Sequence, residues 1–326
     1  MPRITVLMPV YNGMPYIPEA VDSVLSQSET DWQPIISDNG SKDGTRDYLR
    51  TLTDPRIRVH YQDTNLDIFG NLNFLLEQSR TDIAKILCAD DVLLPGALAR
   101  IAAFMEERPW CAVSRCLASG DLKKFGPGSR CELEGALPRH LTPAAAVLAF
   151  ATFGNLVGNL SKAACRTGLV LRQGGFDQQF PYAGDYAGWL NVAAEHGLAL
   201  QNEELVFERR HANQNSNLLN RKNELYRQVN TLIIQLSGMV QEQEARILRR
   251  HGTIHFFSPR LARAMRQVLA GRFRLATEAW TGLPLNISPI LTVAAYPAVK
   301  FNLPMASKTT RLLYARICDL NGDNHD

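Results

Sequence analysis

A short apolar run stopped by two adjacent carboxylates constrains the fold of this chain more than any other feature. Ile83-Ala84-Lys85-Ile86-Leu87-Cys88-Ala89-Asp90-Asp91-Val92-Leu93-Leu94-Pro95 opens with the composition of a buried strand. Pro95 then starts what reads as a helix from Gly96 to Glu107. Carboxylates are costly to leave inside an apolar core. In open α/β sheets, ligands bind outside the carboxyl ends of the strands. Asp90 and Asp91 are therefore expected at that edge, with oxygens available to a hard divalent cation. An isolated Asp-Asp pair most often just closes a strand with a polar turn, so the weight falls on the surrounding sequence.

The surroundings alternate strand and helix patterns. Ile4–Met8 reads as a buried strand ending at Pro9-Val10-Tyr11-Asn12-Gly13, followed by a helix from about Ile17 to Gln27. Gln33–Asp38 reads as a second strand, punctuated by Asn39-Gly40-Ser41-Lys42-Asp43-Gly44-Thr45 and a helix through Leu52. A third strand, Ile57–Tyr61, and a helix from about Gly70 to Gln78 lead to the central run. Such alternation with short connections predicts a Rossmann-type α/β fold, a mostly parallel sheet flanked by helices. A dinucleotide oxidoreductase would carry G-x-G-x-x-G at the first turn. Here that turn is Pro-Val-Tyr-Asn-Gly, with one glycine, which removes this reading.

Taken together, Val6-Leu7-Met8-Pro9-Val10-Tyr11-Asn12, Asp38-Asn39-Gly40-Ser41-Lys42-Asp43-Gly44-Thr45 and Ala89-Asp90-Asp91 resemble the family 2 glycosyltransferases of the GT-A fold. The order and spacing match over roughly the first 215 residues. The resemblance implies an inverting enzyme that uses a nucleotide-sugar donor. It implies that Pro9, Val10, Tyr11, Asn12, Asp38, Asn39 and Gly40 hold the nucleotide, commonly with a uracil base. A carboxylate such as Asp38 can accept the ring N–H of uracil, and an aromatic such as Tyr11 can stack on the base. Asp90 and Asp91 match the acidic element that holds Mg²⁺ or Mn²⁺ at the donor diphosphate. The family often has a further acid two residues before Asp90, where this chain has Cys88. That departure leaves open whether the ribose contact is lost or taken by Asp90 while Asp91 meets the metal.

Further along, Gly174-Gly175-Phe176-Asp177-Gln178-Gln179-Phe180 and Gly184-Asp185-Tyr186 resemble the element whose acidic residue is the catalytic base. Asp185 matches it, with Gly184 standing where the family commonly has Glu or Asp. A carboxylate in the first helical turn is favoured in its ionised form; Asp185 could equally cap the helix Tyr186–Glu195. Trp189 reads as core. The Arg209-Arg210-His211 run resembles the family's basic segment, which implies Arg210 and His211 at the diphosphate and His211 as a further metal ligand. His140, His196 and His251 read as surface residues. Arg108–Leu117 is expected to contain a strand, Gly120–Gly128 an exposed loop, and Thr142 the cap of a helix.

The domain division expected is a GT-A domain over residues 1–216 and a helical extension over 217–326. The overall charge of +3 hides an asymmetry: residues 217–326 carry 15 Lys and Arg against 7 Asp and Glu. Leu225, Val229, Leu232, Leu236, Met239 and Val240 predict a long helix ending near Gly252, followed by a basic helix Pro259–Leu269. Such a tail suits peripheral contact with a membrane bearing a lipid-linked acceptor, a helical cap, or an oligomer contact. The apolar run Leu283–Leu303 is broken by Pro284, Pro289 and Pro297 and is not expected to span a membrane. Six cysteines without a CxxC pair suggest reduced thiols. The expected location is cytoplasmic, with the tail at the inner face of the plasma membrane. The expected partners are a nucleotide-sugar and a saccharide or lipid-linked saccharide acceptor, in bacterial cell-surface polysaccharide or lipopolysaccharide synthesis; nucleic acid is not expected. Two rivals share the fold: a non-catalytic nucleotide-sugar binding or assembly module, and a nucleotidyltransferase.

Overall fold

In the computed structural model, the described residues are 2–28, 31–125, 131–211, 224–252, 258–272 and 304–322. They fall into two compact units, one of Met1–Pro143 and Asn155–Arg210, the other of Ala144–Gly154 and His211–Asp323.

The first unit is built on β1 (Ile4–Val10), α1 (Ile17–Leu25), β2 (Trp32–Asp38), α2 (Thr45–Arg50), β3 (Arg58–Tyr61), α3 (Asp67–Gln78) and β4 (Ile83–Ile86). It continues through β5 (Val92–Leu93), α4 (Ala97–Glu106), β6 (Val113–Ala118), α5 (Asp121–Lys124), α6 (Glu132–Gly135) and β7 (His140–Leu141). The chain then forms α7 (Pro143–Phe153), which is grouped with the second unit from Ala144 on. β8 (Ala163–Arg166), α8 (Thr167–Arg172), α9 (Gly184–His196) and β9 (Leu198–Phe207) complete the first unit.

Nine strands form one sheet among the described residues, ordered β3-β2-β1-β4-β8-β6-β9-β5 with β7 also paired to β9. The expected parallel sheet is present as β3-β2-β1-β4. β8 runs antiparallel between β4 and β6, and β5 and β7 pair antiparallel with β9. The sheet is thus mixed, its antiparallel members lying in the second half of the unit. The strand–helix alternation fades there, and sequence periodicity does not reveal strand direction. Pro9 is accommodated inside β1 opposite Ser37, so this strand runs past the end expected for it.

Two local differences have clear causes. The Asp90-Asp91 turn leads into the short strand β5, and the helix starts only at Ala97, because Gly96 takes a left-handed φ of 70° before it. Gly120 to Phe125 is not an open loop: α5 turns there, and Asp121 is buried against the Lys162 ammonium at 3.1 Å. Residues 126–130 lie outside the described residues.

In the second unit, the long helix expected to reach Gly252 is two helices, α10 (Glu224–Met239) and α11 (Glu242–Gly252), followed by α12 (Ser258–Leu269) and α13 (Pro304–Asn321). The break falls at residues 240–241, just after Gly238, a weak helix former, and Glu242 and Glu244 suit the positive end of a new helix. Leu313 and Ile317 of α13 are buried, and Arg316 bonds Glu244 of α11 at 2.8 Å. His251 is not a surface residue: it is buried, its Nε2 at 2.9 Å from the Thr152 carbonyl of α7. In the first unit, half-buried His140 packs against the Trp110 ring. No described helix is long and apolar enough to cross a membrane, and all six cysteines are free.

Candidate active site

Strand register gathers the polar residues at one edge. β1 ends at Val10 opposite Asp38, the last residue of β2, and Asp38 lies opposite Tyr61 at the end of β3. Leu7 of β1 is opposite Ile86, so three more residues carry β4 to Ala89 beside the Gly13 turn. A Cβ placed on Gly13 would stand 3.4 Å from the Ala89 methyl. The carboxyl ends of β1, β2 and β4 thus bring Tyr11, Asp38 and the Asp90-Asp91 pair together.

The first two loops are stitched to each other. The Asn12 N–H donates to Ser41 Oγ at 2.8 Å, and the Gly13 N–H donates to Thr45 Oγ1 at 2.8 Å. The Lys42 N–H donates in turn to Asn12 Oδ1 at 2.9 Å. Asn39 Oδ1 accepts the Leu66 N–H and its amide donates to the Asp67 carbonyl, tying on the β3–α3 turn. The side chains of Asn12 and Asn39 therefore hold loop to loop. Val10 is core, Gly40 supplies a left-handed φ of 84°, and Tyr11 stands 48% exposed above them. Asp38 is fully buried: it accepts the Ser41 N–H and the Arg46 Nε–H, and Arg46 also reaches the Gln62 carbonyl. Arg46, one-third exposed, thus caps the carboxylate expected to meet a base.

The acidic pair is divided by burial. Asp90 is partly exposed, whereas Asp91 is completely buried, contrary to the expectation that both stand open at the edge. β5 and β9 pair Val92 with Phe207, and extending that register brings Arg209 to the pair. The Arg209 N–H donates to Asp91 Oδ1 at 2.9 Å, and its guanidinium bonds the Asp90 carbonyl and Glu19. Arg209, whose role the sequence left undecided, is thus the basic residue in contact with the pair, while neighbouring Arg210 is exposed. His211 belongs to the second unit.

Cys88, Asp90 and Asp91 each bring one ligand-type atom to within 4.8 Å of the others. Asp91 Oδ2 is buried with no hydrogen-bond partner among the described residues. Burial pushes the Asp91 carboxyl up to about 6, reinforced by nearby Asp90 and opposed by the Arg209 N–H and Ser161. An orphaned buried carboxylate oxygen beside a second carboxylate fits a hard divalent cation such as Mg²⁺ or Mn²⁺. Burial pushes the Cys88 thiol well above its ordinary range, and a soft sulfur ligand suits a hard ion poorly. Asp90 and Asp91 are the residues that fit the metal.

Asp185 lies in the first turn of α9 and keeps partial exposure. Burial of its surroundings pushes the carboxyl up to about 6, opposed by the Tyr186 N–H and Asn155. Its side chain is not the helix cap, since Ala183 holds that position. Gly184 explains its own departure from the family pattern: a Cβ there would meet the Phe69 ring at 2.6 Å. Phe69 stacks on Phe176, which meets Trp189 edge-on at 4.8 Å, so Trp189 is core. Gly175 and Phe176 are fixed by Asn73 of α3, whose Oδ1 accepts the Phe176 N–H and whose amide donates to its carbonyl. The Gly-Gly-Phe-Asp stretch is thus a support that seats α9.

A segment without a sequence assignment joins the two halves. Asn155 Nδ2 donates to Asp185 Oδ2 at 2.8 Å, and Ser161 Oγ accepts the Cys88 N–H at 2.8 Å. Asn155-Leu156-Val157-Gly158-Asn159 has turn-forming composition, but the partners it reaches are set only by folding.

Residues 5–152 match the family model described as "Glycosyl transferase family 2". Over that stretch, a little under half of its length, the chain is similar to glycosyl transferase family 2. Asp185 and Arg209 lie beyond the matched stretch. Relatives include the putative teichuronic acid biosynthesis glycosyltransferase TuaG of Bacillus subtilis, 38% identical over 35% of this chain and 45% of that one. A GalNAc(5)-diNAcBac-PP-undecaprenol beta-1,3-glucosyltransferase of Campylobacter jejuni is 28% identical over 43% of this chain and 47% of that one. The matched stretch thus spans less than half the length of these relatives. The fold is that of S. aureus TarS 1-349 solved with UDP-GlcNAc, at a TM-score of 0.61 and 17% identity over 98% of this chain and 88% of that one. It is also that of a Pyrobaculum calidifontis mannosyltransferase solved with GDP-Man and Mn2+, at a TM-score of 0.56 and 17% identity over 99% and 88%.

Proposed function

We propose that this protein is an inverting glycosyltransferase that moves a sugar from a nucleotide-sugar, with a UDP-sugar as first candidate, to a hydroxyl of a saccharide acceptor. The observation that carries the reading is a partly exposed carboxylate, Asp185, with its pKa raised to about 6 and tied through one short segment to the acidic pair. A base poised near neutral pH is suited to proton abstraction from a hydroxyl. In the reaction, the acceptor oxygen attacks the anomeric carbon as its proton passes to Asp185. The bond from that carbon to the diphosphate oxygen breaks, and the diphosphate leaves with the electron pair. Attack opposite the leaving group inverts the anomeric configuration.

Tyr11 would stack on the base, with the Asp38–Arg46 pair reading its edge. Asp90 and Asp91 would hold the divalent ion, which when bound neutralises charge on the diphosphate. Arg210 would meet the diphosphate as a charge clamp. The catalytic region is assigned to residues 1–216, and the basic region 217–326 to a lipid-linked acceptor at an anionic membrane surface. A cell-surface glycan role is supported by the names of two relatives, one for teichuronic acid biosynthesis and one for transfer to an undecaprenol-linked saccharide.

Calorimetric titration with UDP, GDP and dTDP, each with and without Mn²⁺, tests the donor half of the reading. Metal-dependent binding of one nucleotide is expected; no binding of any would transfer the assignment to a non-catalytic assembly module. Asp185→Asn is expected to leave nucleotide affinity intact and remove sugar transfer.

A further inference from the structure

We propose that Asn155 is the positioning residue for Asp185, fixing which carboxylate oxygen faces the acceptor and keeping that carboxylate ionised. The inference rests on the reading of Asp185 as the base. Nothing in the sequence resemblance assigns a role to Asn155, which lies beyond the matched stretch.

Three contacts define the Asn155 amide. Its Oδ1 accepts the Gly158 N–H at 3.2 Å, which fixes which end of the amide is oxygen. Its Nδ2 therefore points the other way and donates to Asp185 Oδ2 at 2.8 Å, with a longer contact to the Gly158 carbonyl at 3.4 Å. The turn that sets this geometry depends on Gly158, whose φ of 73° is in the left-handed region and whose added Cβ would sit 3.0 Å from the Lys162 side chain. Asn155 thus approaches Asp185 as a donor already oriented by its own loop.

The same loop is anchored at its far end. Asn159 Oδ1 accepts the Ser161 N–H at 2.8 Å, capping the short 3₁₀ turn Leu160–Lys162. Ser161 Oγ accepts the Cys88 N–H, and its carbonyl accepts the buried Lys85 ammonium of β4. Residues 155–161 therefore form a bracket with one end on the base and the other on the strand end that carries the acidic pair. The bond from Asn155 to Asp185 Oδ2 thus fixes how the carboxylate is turned.

The groups acting on Asp185 are few. Burial raises its pKa, while the N–H groups of Tyr186 and Asp185 itself and the Asn155 amide lower it; no ionised side chain among the described residues adds to these. On its own helix stand the buried Tyr186 phenol and Gly184, and from α3 the apolar Phe69 ring packs against Gly184. Removing the Asn155 donor should therefore move the carboxyl upward by roughly one pH unit, the shift expected from a hydrogen bond to a charged group.

The test combines a direct titration with a turnover profile. Aspartate side-chain carboxyl carbons are labelled with ¹³C, and the Asp185 signal is identified by its loss in Asp185→Asn. Wild-type, Asn155→Ala and Asn155→Asp proteins are titrated by NMR. The same proteins are assayed for UDP release from UDP-GlcNAc with Mn²⁺ across pH 5–9 (about four units, wide enough for the expected shift). Asn155→Asp keeps the acceptor for the Gly158 N–H, so it guards against simple loss of the loop, and it sets a second carboxylate beside the first. The expected result is an Asp185 titration shifted up in Asn155→Ala and further up in Asn155→Asp. The acid limb of turnover should shift with it, while donor KM stays within about twofold. An unshifted Asp185 signal in both variants overturns the role of Asn155. A shifted signal with an unmoved turnover profile, or an active Asp185→Asn, overturns instead the reading of Asp185 as the base.

Discussion

Gly188 offers a case in which two physical effects oppose each other and their magnitudes decide the sign. It sits inside α9, three residues after Asp185, where replacing glycine by alanine ordinarily stabilises a helix by about 1 kcal/mol. Here an added Cβ would stand 2.6 Å from Phe176 Cδ1 and 3.0 Å from Cε1, about an ångström inside ordinary contact. Phe176 cannot turn away, because it is 1% exposed, stacked on Phe69 and set edge-on to Trp189. Its backbone is also clamped by Asn73. Overpacking a well-filled core costs about 1–3 kcal/mol, so the clash should win by about 1 kcal/mol. For a domain of this size, that is a fall in melting temperature of about 2–4 °C. Thermal unfolding of Gly188→Ala measures it, and Phe176→Leu added to that variant should recover part of the loss because the two sites share one contact. A Gly188→Ala protein more stable than wild type would refute the claim that α9 is seated by close approach to this ring.

Other expectations follow from the charges. Asp91 and Asp185 both have folded pKa values raised from 3.8 to about 6. The folded state therefore binds more protons than the unfolded state between those values, and the stability due to these two groups is full below about pH 4 and lost as pH rises through 6. Thermal melts at pH 4.5, 6 and 7.5, corrected with an Asp91→Asn/Asp185→Asn double variant, would read that slope. At pH 7.5, Asp185→Asn should raise the melting temperature by a few degrees while removing transfer, since a buried charge has been exchanged for a neutral amide. Mn²⁺ should raise the wild-type melting temperature at pH 7.5 and leave Asp91→Ala unmoved, as only a protein with the site gains from ligand binding. Lys85→Met would leave the Ser161 and Ala163 carbonyls without their donor, and a loss of about 1–3 kcal/mol in denaturant unfolding is expected.

The sequence by itself determined the parallel half of the sheet and where along the chain the candidate site residues stand. Apolar runs of four to seven residues ending in Pro-Val-Tyr-Asn, Asp-Asn-Gly and Asp-Asp mark β1, β2 and β4, because burial on both faces demands continuous apolar strands and their ends must return to water. Asp185 is singled out by its resemblance to a family element, and the structure places it in the first turn of α9. What only the tertiary structure decided is which of these groups are exposed and what holds them. Asp91 is buried and Arg209 touches it because antiparallel β5 and β9 share a register, and pairing across more than a hundred residues leaves no local periodicity to read. A side chain at Gly184 would meet the Phe69 ring of α3. Asn155 meets Asp185 thirty residues away in sequence, through a turn whose residues announce only that they turn. Local composition sets where a chain bends and what it buries; which bends meet depends on packing between elements, information that no single stretch contains.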